Sequence, residues 1–444
     1  MSRLFGTDGV RGIYEKELTT ELAYQLGHYG SYVLSKGNHN PKIIIGMDTR
    51  ISGKPLEAAL VDGITAAGGD VLLAGVIPTP AIAVLVKTYQ ADAGIVISAS
   101  HNPYQFNGIK FFNSQGFKLS DNLEDQIEDC IKKGDSIKSD KKGHVAHLEH
   151  PEIIYQEHTR HGFNTSLDGI KLIIDCANGA SSKIAPDFFK DLGADVQVIA
   201  DQPNGKNIND HCGSTCISNL SDNIIAKGAD LGLAFDGDAD RCLAVDEKGR
   251  LIDGDTILNL IGRKMKKDGT LKKDTVVVTV MSNIGLDIAL KEYNLKSVKT
   301  DVGDRYVLEE MLKHGYNIGG EQSGHVILLD HNSTGDGMLT ALMLASILHE
   351  EQKKASELND LMVSYPQVLV NAQVTNQNKF NYKKDTIIQN EIKRVENHFS
   401  GQGRVLIRPS GTEPLVRVMI EGKDQAELEK IAHNLASLIE ERLA

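Results

Sequence analysis

Three aspartates stand within five residues in the segment Asp236-Gly-Asp-Ala-Asp-Arg241, between two apolar runs. If their carboxylates converge to about 4 Å, each pair repels by about 4 kcal/mol at an effective dielectric constant of about 20. Convergence therefore requires a bound cation. A site with few protein ligands, all of them oxygen, suits Mg²⁺, which keeps positions open for water or a substrate phosphate.

Two other interpretations of this segment compete. Asp-Gly clusters are common in acidic turns whose carboxylates point into water. The spacing of the aspartates and Glu247 also matches part of an EF-hand calcium loop, but Arg241 stands where that loop needs glycine, and the flanks predict strands. The EF-hand is therefore excluded, and the acidic turn remains the alternative to a metal site.

Ser100, in the segment Ser98-Ala-Ser-His-Asn-Pro103, is a candidate nucleophile or phosphate carrier. Its neighbour His101 suggests a Ser-His hydrolase, yet adjacent residues seldom adopt the geometry of a catalytic triad, and the G-x-S-x-G elbow is absent. Hydrolysis is therefore disfavoured. A helix cap or a simple turn explains a serine at this position equally well.

The segment Arg408-Pro-Ser-Gly-Thr-Glu-Pro414, followed by Arg417, contains the groups that bind phosphate. Its glycine lets backbone N–H groups converge, its hydroxyls donate hydrogen bonds, and its guanidinium groups offer paired donors. The alternative is an ordinary Ser-Gly turn between prolines. The segment is not a Walker loop, because no Gly-Lys-Ser/Thr follows.

Two further segments combine glycine with polar side chains. Gly320-Glu-Gln-Ser-Gly-His325 places an acid, a hydroxyl and an imidazole within five residues, which suits sugar hydroxyls. Phe5-Gly-Thr-Asp-Gly-Val-Arg-Gly12 places Arg11 on a glycine-rich loop. Each residue taken singly is more often structural.

Composition narrows the class of protein. A chain of 444 residues with 41% hydrophobic and 24% charged residues predicts several domains, and no apolar run is long enough to span a bilayer. The net charge of -12 argues against nonspecific nucleic-acid binding. An N-terminus without signal-peptide character and five scattered cysteines, Cys212 and Cys216 among them as free thiols, favour the cytoplasm.

A unit of three apolar strands separated by helices occurs three times. Its strands are predicted at 42–46, within 67–74 and at 93–97, then at 171–175, within 192–199 and at 229–235, then at 275–280, 295–298 and 316–319. Such an alternation predicts mostly parallel sheets covered on both faces. The segments 98–103, 236–241 and 321–325 each follow the third strand of a unit, where open α/β sheets bind ligands, so they are expected to line one cleft.

The chain changes character after about residue 365. Strands at 367–370, 404–407 and 415–420, with helices near 386–398 and 424–442, predict a smaller α+β domain. A charged stretch at 135–142 predicts an exposed linker. We expect α/β domains at 1–152, 153–253 and 254–365, and an α+β domain at 366–444.

Taken together, the five segments quoted above, at 5–12, 98–103, 236–241, 320–325 and 408–414, resemble those of the α-D-phosphohexomutase superfamily, in the same order and over nearly the whole chain. Gln322 and the opening Phe-Gly-Thr-Asp-Gly-Val-Arg resemble its bacterial phosphoglucosamine mutase subfamily. One departure is visible, because the subfamily pattern has His-Pro where this chain has Cys216-Ile217. The resemblance implies four domains around a central cleft, the first three of one α/β topology.

The resemblance also implies roles for individual residues. Ser100 would be the phosphoserine, and Asp236, Asp238 and Asp240 would bind one Mg²⁺ together with its phosphate. Arg241 would help to hold the transferred charge, and His101, Lys110 and His325 are candidates for the general base. The residues implied in substrate binding are Thr7, Arg11, Glu321, Ser323, His325, Arg408, Ser410, Gly411, Thr412 and Arg417.

The activity implied is the interconversion of glucosamine 6-phosphate and glucosamine 1-phosphate through glucosamine 1,6-bisphosphate, for the synthesis of UDP-N-acetylglucosamine and peptidoglycan. A mutase of mannose or glucose phosphates and a non-catalytic phosphosugar-binding protein are the alternatives. We expect the last domain to close by a hinge near 365 so that the bisphosphate does not escape. A homodimer and an activating kinase are further expectations.

Overall fold

The structure is a computed structural model that describes residues 3–6, 8–35, 40–134, 142–163, 165–410 and 413–444. The expected linker at 135–142 lies almost wholly outside these residues. The chain divides into two compact units, one of Met1–Met281 with Leu295–Leu361 and one of Ser282–Asn294 with Met362–Ala444. Among the described helices, none is both long and apolar enough to span a bilayer.

The first sheet of the larger unit has six strands in the order β1-β5-β4-β2-β3-β6. β2, β3, β4 and β6 run parallel, and β5 and β1 are antiparallel to their neighbours. Its elements are β1 Val10–Ile13, α1 Thr20–Leu34, β2 Lys42–Met47, α2 Gly53–Ala66, β3 Asp70–Val76, α3 Thr79–Thr88, β4 Ala93–Ile97, β5 Phe106–Asn113, α4 Asp121–Lys133 and β6 Val145–His147.

The second sheet has five strands in the order β11-β10-β9-β7-β8. Its segment contains α5 Pro151–Arg160, β7 Lys171–Asp175, α6 Ala185–Asp191, β8 Asp195–Ile199, α7 Ser218–Lys227, β9 Leu231–Phe235, β10 Cys242–Asp246 and β11 Leu251–Ile252. The pattern near 180–192 predicts a longer helix than α6. That prediction is wrong for residues 180–184, because α6 begins only where Pro186 fits its first turn.

The third sheet has four strands in the order β13-β12-β14-β15. Its segment contains α8 Gly254–Lys267, β12 Thr275–Thr279, α9 Ile284–Glu292, β13 Lys296–Thr300, α10 Asp304–His314, β14 Ile318–Gly320, β15 Val326–Leu328, α11 Gly337–Glu351 and α12 Ala355–Asn359. α9 belongs to the smaller unit although the strands on either side of it belong to the larger one.

The three sheets share one topology, which confirms the predicted repeat. Their common orders are β5-β4-β2-β3, β10-β9-β7-β8 and β15-β14-β12-β13, in which three parallel strands are followed by one antiparallel strand. In each sheet a turn leads from the last parallel strand into the antiparallel strand. These turns span 98–105 in the first sheet, 236–241 in the second and 321–325 in the third. The three segments with predicted chemistry therefore occupy the same turn in three copies of the fold.

Apolar side chains cover both faces of these sheets. In β2, Ile43 and Ile45 are buried with Leu26 of α1 and Leu60 of α2, in one core cluster. Ile44, which points to the other face, is also fully buried. Burial of both faces explains why the parallel strands are continuous apolar runs.

The smaller unit contains an antiparallel sheet in the order β16-β18-β17. Its remaining elements are β16 Gln367–Gln373, α13 Thr386–Phe399, β17 Arg404–Pro409, β18 Leu415–Glu421 and α14 Gln425–Leu443. α14 begins at its cap Asp424, whose carboxylate accepts from the backbone N–H of Glu427, and buries Leu428, Leu435 and Ile439 against the sheet. This α+β architecture agrees with the sequence prediction.

Candidate active site

The serine turn and the aspartate turn meet in the larger unit. The Ser100 hydroxyl donates a hydrogen bond of 2.6 Å to Oδ2 of Asp236, and both residues are buried. At the next junction, Nδ1 of His325 lies 3.6 Å from Oδ2 of Asp240. Of the three turns predicted to share a cleft, the first therefore contacts the second, and the second contacts the third.

The backbone holds Ser100 in an unusual conformation. Its φ of +52° lies in the left-handed region, which a serine seldom occupies unless its surroundings impose it. The Ser100 N–H donates to Oγ of Ser98, whose own hydroxyl donates to Asp48. Arg50, ion-paired with Asp48, donates to the Ser100 carbonyl at 3.1 Å. These bonds orient the hydroxyl towards the aspartate turn.

The three aspartates form a compact group of carboxylates. Each offers an oxygen within 4.8 Å of the others, and all three side chains are buried. Oδ1 of Asp238 and Oδ1 of Asp240 have no hydrogen-bond partner in the described structure. Burial, together with the charges of Asp240 and Asp238, raises the pKa of Asp236 well above its usual range. Unpartnered, all-oxygen donors with this charge fit a divalent cation such as Mg²⁺.

Gly237 allows the two turns to approach each other. A Cβ at this position would lie 2.6 Å from the Ser100 carbonyl oxygen and 2.7 Å from Cδ1 of Ile208. Both distances are shorter than side chains tolerate, and one neighbour is backbone. The glycine of the acidic segment is therefore explained by close packing on the serine turn, in addition to turn formation.

Basic side chains surround the aspartates. Lys110 is fully buried, and its Nζ lies 2.9 Å from Oδ2 of Asp238 and 3.1 Å from Oδ2 of Asp8. Burial alone would lower the pKa of Lys110, but the aspartates raise it above its usual range, so this lysine is charged. Arg241 completes the set, with its Nε 3.7 Å from Oδ1 of Asp240.

A cleft of about 460 Å³ opens next to these groups. Its lining includes Arg11, Lys118, Arg241, Glu321 and His325. Four of these were singled out from the sequence, whereas Lys118 was not. Cationic and anionic side chains together on one wall suit a ligand with both phosphate and hydroxyl groups.

Two acidic residues that the sequence analysis did not select complete the cleft. Lys118 Nζ lies 2.5 Å from both Asp8 Oδ1 and Asp304 Oδ2, and Asp8 is also paired with Arg11. Asp8 belongs to a segment that the analysis quoted, but Thr7 and Arg11 were chosen there. Asp304 begins α10, and no motif marks it.

The histidines of the site differ in environment. Burial and the nearby charges of Arg241 and Arg11 lower the pKa of His101 to about 4, and its Nδ1 lies 3.3 Å from Oγ of Ser100. Burial would lower the pKa of His325, but Asp240 and Asp304 raise it above its usual value. His101 is therefore neutral at pH 7, beside the hydroxyl that the sequence selects as nucleophile.

The turn at 321–325 presents part of its polar groups to the cleft. The Glu321 carboxylate accepts from the backbone N–H of Gly303 at 3.1 Å, and the buried Oγ of Ser323 has no hydrogen-bond partner in the described residues. Gln322 turns away and donates to Asp253, the cap of α8. Glu321 lines the cleft, so its carboxylate is available to a sugar hydroxyl.

The predicted phosphate segment lies in the smaller unit, at the turn between β17 and β18. Arg408 and Arg417 stand directly opposite each other in the sheet, and such a pair of like charges favours a bound anion. Lys379, not selected from the sequence, is buried and donates to the Ser410 carbonyl at 2.7 Å. The predicted Thr7, Gly411 and Thr412 lie outside the described residues.

Comparison with known families covers nearly the whole chain. The alpha/beta/alpha domains I, II and III of phosphoglucomutase/phosphomannomutase match residues 2–138, 153–249 and 253–365, and the C-terminal domain of that family matches residues 369–438. The matches follow one another in the order of the domains.

Individual relatives are similar over their full length. The phosphoglucosamine mutases of Caldicellulosiruptor saccharolyticus and Clostridium acetobutylicum are 58% and 56% identical to this chain, and each comparison covers 100% of both chains. A crystal structure of a phosphoglucomutase/phosphomannomutase family protein from Burkholderia thailandensis superposes with a TM-score of 0.83 at 24% identity, covering 99% of this chain and 98% of that one. The chain belongs to the phosphohexomutase superfamily and, within it, to the family of the phosphoglucosamine mutases.

Proposed function

We propose that this protein is an isomerase, a phosphoglucosamine mutase that interconverts glucosamine 6-phosphate and glucosamine 1-phosphate. The observation that carries the proposal is the 2.6 Å hydrogen bond between Ser100 and Asp236, in a chain that matches phosphoglucosamine mutases from end to end. A buried serine in contact with a cluster of carboxylates that could bind a metal ion is suited to carry a phosphoryl group.

The reaction proceeds through a phosphoserine at Ser100. The free hydroxyl oxygen of the sugar phosphate forms a bond to phosphorus while the bond from phosphorus to the serine Oγ breaks, which yields glucosamine 1,6-bisphosphate. The bisphosphate turns within the cleft. Its other phosphoryl group then returns to Ser100, so both half-reactions use the same serine and the net result is isomerisation.

Asp236, Asp238, Asp240 and the phosphate on Ser100 would hold one Mg²⁺. When bound, the ion supplies Lewis-acid stabilisation of charge on the phosphoryl oxygens. Because the phosphate provides a ligand, the affinity for Mg²⁺ is expected to fall when Ser100 is unphosphorylated or replaced.

The other charged residues stabilise the transferred group and the sugar. Lys110 and Arg241 neutralise charge in a loose transition state that depends mainly on positioning. Of the three residues predicted as acceptors of the hydroxyl proton, His101, Lys110 and His325, the neutral His101 suits the role best, because Lys110 is charged and the pKa of His325 is raised.

Sugar and phosphate recognition are assigned to the remaining residues. Glu321 and Ser323 bind sugar hydroxyls, and Thr7 and Arg11 support the substrate at the N-terminal loop. The phosphate that is not transferred is bound by Arg408, Ser410, Gly411, Thr412 and Arg417. This loop must accept either end of the sugar, so it is expected to bind the phosphate and not the ring.

The cellular setting is a further part of the proposal. A cytoplasmic enzyme of this kind would supply glucosamine 1-phosphate for UDP-N-acetylglucosamine and peptidoglycan synthesis. A homodimer, activation by a kinase and closure by a hinge near residue 365 remain predictions, as do the domain boundaries at 152/153, 253/254 and 365/366.

One coupled assay tests the proposal against its alternatives. The purified protein is supplied with glucosamine, mannose or glucose 6-phosphate, and formation of each 1-phosphate is followed. Preferred turnover of the glucosamine compound supports the assignment, whereas faster turnover of the mannose or glucose compound makes the protein a neutral-hexose mutase. Full activity of Ser100→Ala, with no phosphorylated form detected by intact mass, would refute the phosphoserine mechanism.

A further inference from the structure

The serine turn is bound by a side chain from the second α/β repeat. The amide nitrogen Nδ2 of Asn209 lies 2.9 Å from the carbonyl oxygen of Ser100 and 3.1 Å from that of Asn102. Because both neighbours are acceptors, only the NH₂ end of the amide can face them. Asn209 therefore spans the turn that carries Ser100.

Asn209 also lies against the aspartate turn. A Cβ on Gly237 would come within 2.9 Å of Nδ2 of Asn209 and within 2.6 Å of the Ser100 carbonyl. The amide thus fills the space where the two turns approach each other most closely. A shift of this side chain would change the separation of Ser100 from the carboxylates.

The loop that presents Asn209 is held to the end of β7. The backbone N–H of Asn209 donates to the Ala177 carbonyl at 2.9 Å, and the N–H of Gly213 donates to the Asp175 carboxylate at 2.9 Å. Asn209 itself has a φ of +57°, in the region that asparagine tolerates better than most residues. The amide is therefore presented from a fixed position on the second sheet.

We infer that Asn209 is a positioning residue for phosphoryl transfer, which holds the Ser100 turn at a fixed distance from the aspartate turn. Arg50 binds the same carbonyl from the first repeat at 3.1 Å, so the turn is clamped from both repeats. The inference rests on the proposed function. It deepens that function, because one serine must have the same geometry in both half-reactions while the sugar turns.

Loss of the clamp, which is the pair of hydrogen bonds from Asn209 and Arg50 to the Ser100 carbonyl, has a chemical consequence in addition to slower phosphoryl transfer. With the serine displaced, water competes with the sugar hydroxyl for the phosphoryl group. A bond then forms between the water oxygen and phosphorus, the bond to Oγ breaks, and inorganic phosphate leaves while Ser100 regains its proton. The phosphoenzyme is therefore expected to hydrolyse faster when the clamp is lost.

Three variants test the inference. Asn209→Gly removes the amide and retains the left-handed backbone without strain. Asn209→Asp keeps the shape of the side chain but turns a carboxylate oxygen towards two carbonyl oxygens. The matched control is Asn204→Ala, in the same loop, because within the described part of the chain the Asn204 side chain accepts only from the nearby Lys206 N–H.

Each variant is measured for turnover of glucosamine 6-phosphate, for loss of phosphate from the isolated phosphoenzyme by intact mass, and for Mg²⁺ affinity of the phosphoenzyme by calorimetry. For Asn209→Gly we expect kcat to fall by about 10-fold to 100-fold with KM nearly unchanged, because a misplacement of about 1 Å costs about 100-fold. Phosphoserine hydrolysis should accelerate and Mg²⁺ affinity should fall. Asn209→Asp should show the same changes, at least as large.

Turnover, hydrolysis and Mg²⁺ affinity in both Asn209 variants equal to those of Asn204→Ala would overturn the inference. A fall in thermal midpoint of Asn209→Gly without a change in these three would also overturn it, because Asn209 would then be only structural. If one Asn209 variant does not fold, the other decides. If the wild-type protein forms the phosphoenzyme but does not convert glucosamine 6-phosphate, the proposed function fails, while the hydrolysis comparison still tests Asn209.

Discussion

Replacing Lys118 by methionine should destabilise the larger unit more than any loss of a surface ion pair. The Nζ atom of Lys118 lies 2.5 Å from carboxylate oxygens of both Asp8 and Asp304. The three side chains are only 14%, 18% and 17% exposed. Methionine keeps much of the length of the side chain and removes the charge, so two partly buried carboxylates lose their shared partner.

The expected cost follows from the burial of these groups. Breaking a buried ion pair by removing one partner costs about 3–5 kcal/mol. Asp8 keeps Arg11 and Lys110 as partners, so we place the cost at the lower end, about 3 kcal/mol. The midpoint should fall by roughly 5 °C, because about 1 kcal/mol corresponds to about 2–4 °C in domains of about 150–250 residues and to less in larger units.

The pH dependence of this effect has a definite sign. Burial alone would raise the pKa of Asp8 and of Asp304, but Lys110, Lys118 and Arg11 lower the first well below its usual range, and Lys118 and His325 lower the second. Carboxylates with lowered pKa values stabilise the folded state above the unfolded value of about 3.9, and this is lost as the pH falls through the folded values. The difference between wild type and variant should therefore be complete at pH 7 and shrink below about pH 4.

Thermal unfolding at pH 7, followed by circular dichroism, measures the change. Lys267→Met is the control, because Lys267 is 58% exposed and pairs with Glu351 at 2.7 Å, an arrangement worth about 0–1 kcal/mol. A second variant, Lys118→Met with Asp304→Asn, should recover part of the lost stability. The reasoning is wrong if Lys118→Met unfolds at the same temperature as Lys267→Met, or if the added Asp304→Asn lowers stability further.

Three other predictions concern single residues. Gly237→Ala should lower kcat by about 100-fold, since its Cβ would lie 2.6 Å from the Ser100 carbonyl; normal turnover would contradict the close packing. Arg417→Gln should raise KM for glucosamine 6-phosphate about 10-fold, as steady-state kinetics would show. The same change should stabilise the unliganded smaller unit by about 0.2–1 kcal/mol, because it removes the repulsion from Arg408 directly opposite, and calorimetry measures this gain. Asp253→Ala should cost about 0.5–2 kcal/mol in urea unfolding through loss of the α8 cap, and an unchanged midpoint would count against it.

The repeated architecture could be predicted because it depends on local patterns. Each parallel strand that is buried on both faces is a continuous apolar run, and each helix between strands has apolar residues at helical spacing. The three repeats and the final α+β segment can therefore be recognised in the sequence. The extent of α6 could not be predicted in this way. Residues 180–184 have helix-compatible composition, but the helix begins only at Ala185, where Pro186 fits the first turn.

Those residues of the candidate site that stand together in one turn could be selected from the sequence. Ser100, the aspartates at 236–240 and the 321–325 segment were selected because polar groups follow a buried strand directly. Lys118, Asp304 and Asn209 were not selected, since each is a single common residue outside any motif. Each contacts residues of the site that lie more than 100 positions away in the chain.

The sequence by itself determined the family, the order of the three α/β repeats and the α+β domain, and the residue types available for chemistry. All of these can be recognised from patterns of residues that are close together along the chain. The tertiary structure decided which turns meet and which charges pair. It placed Ser100 against Asp236, Lys118 between Asp8 and Asp304, and assigned α9 to the smaller unit. Such pairings depend on how the sheets pack, and no local pattern in the chain encodes the distance between two turns on different sheets.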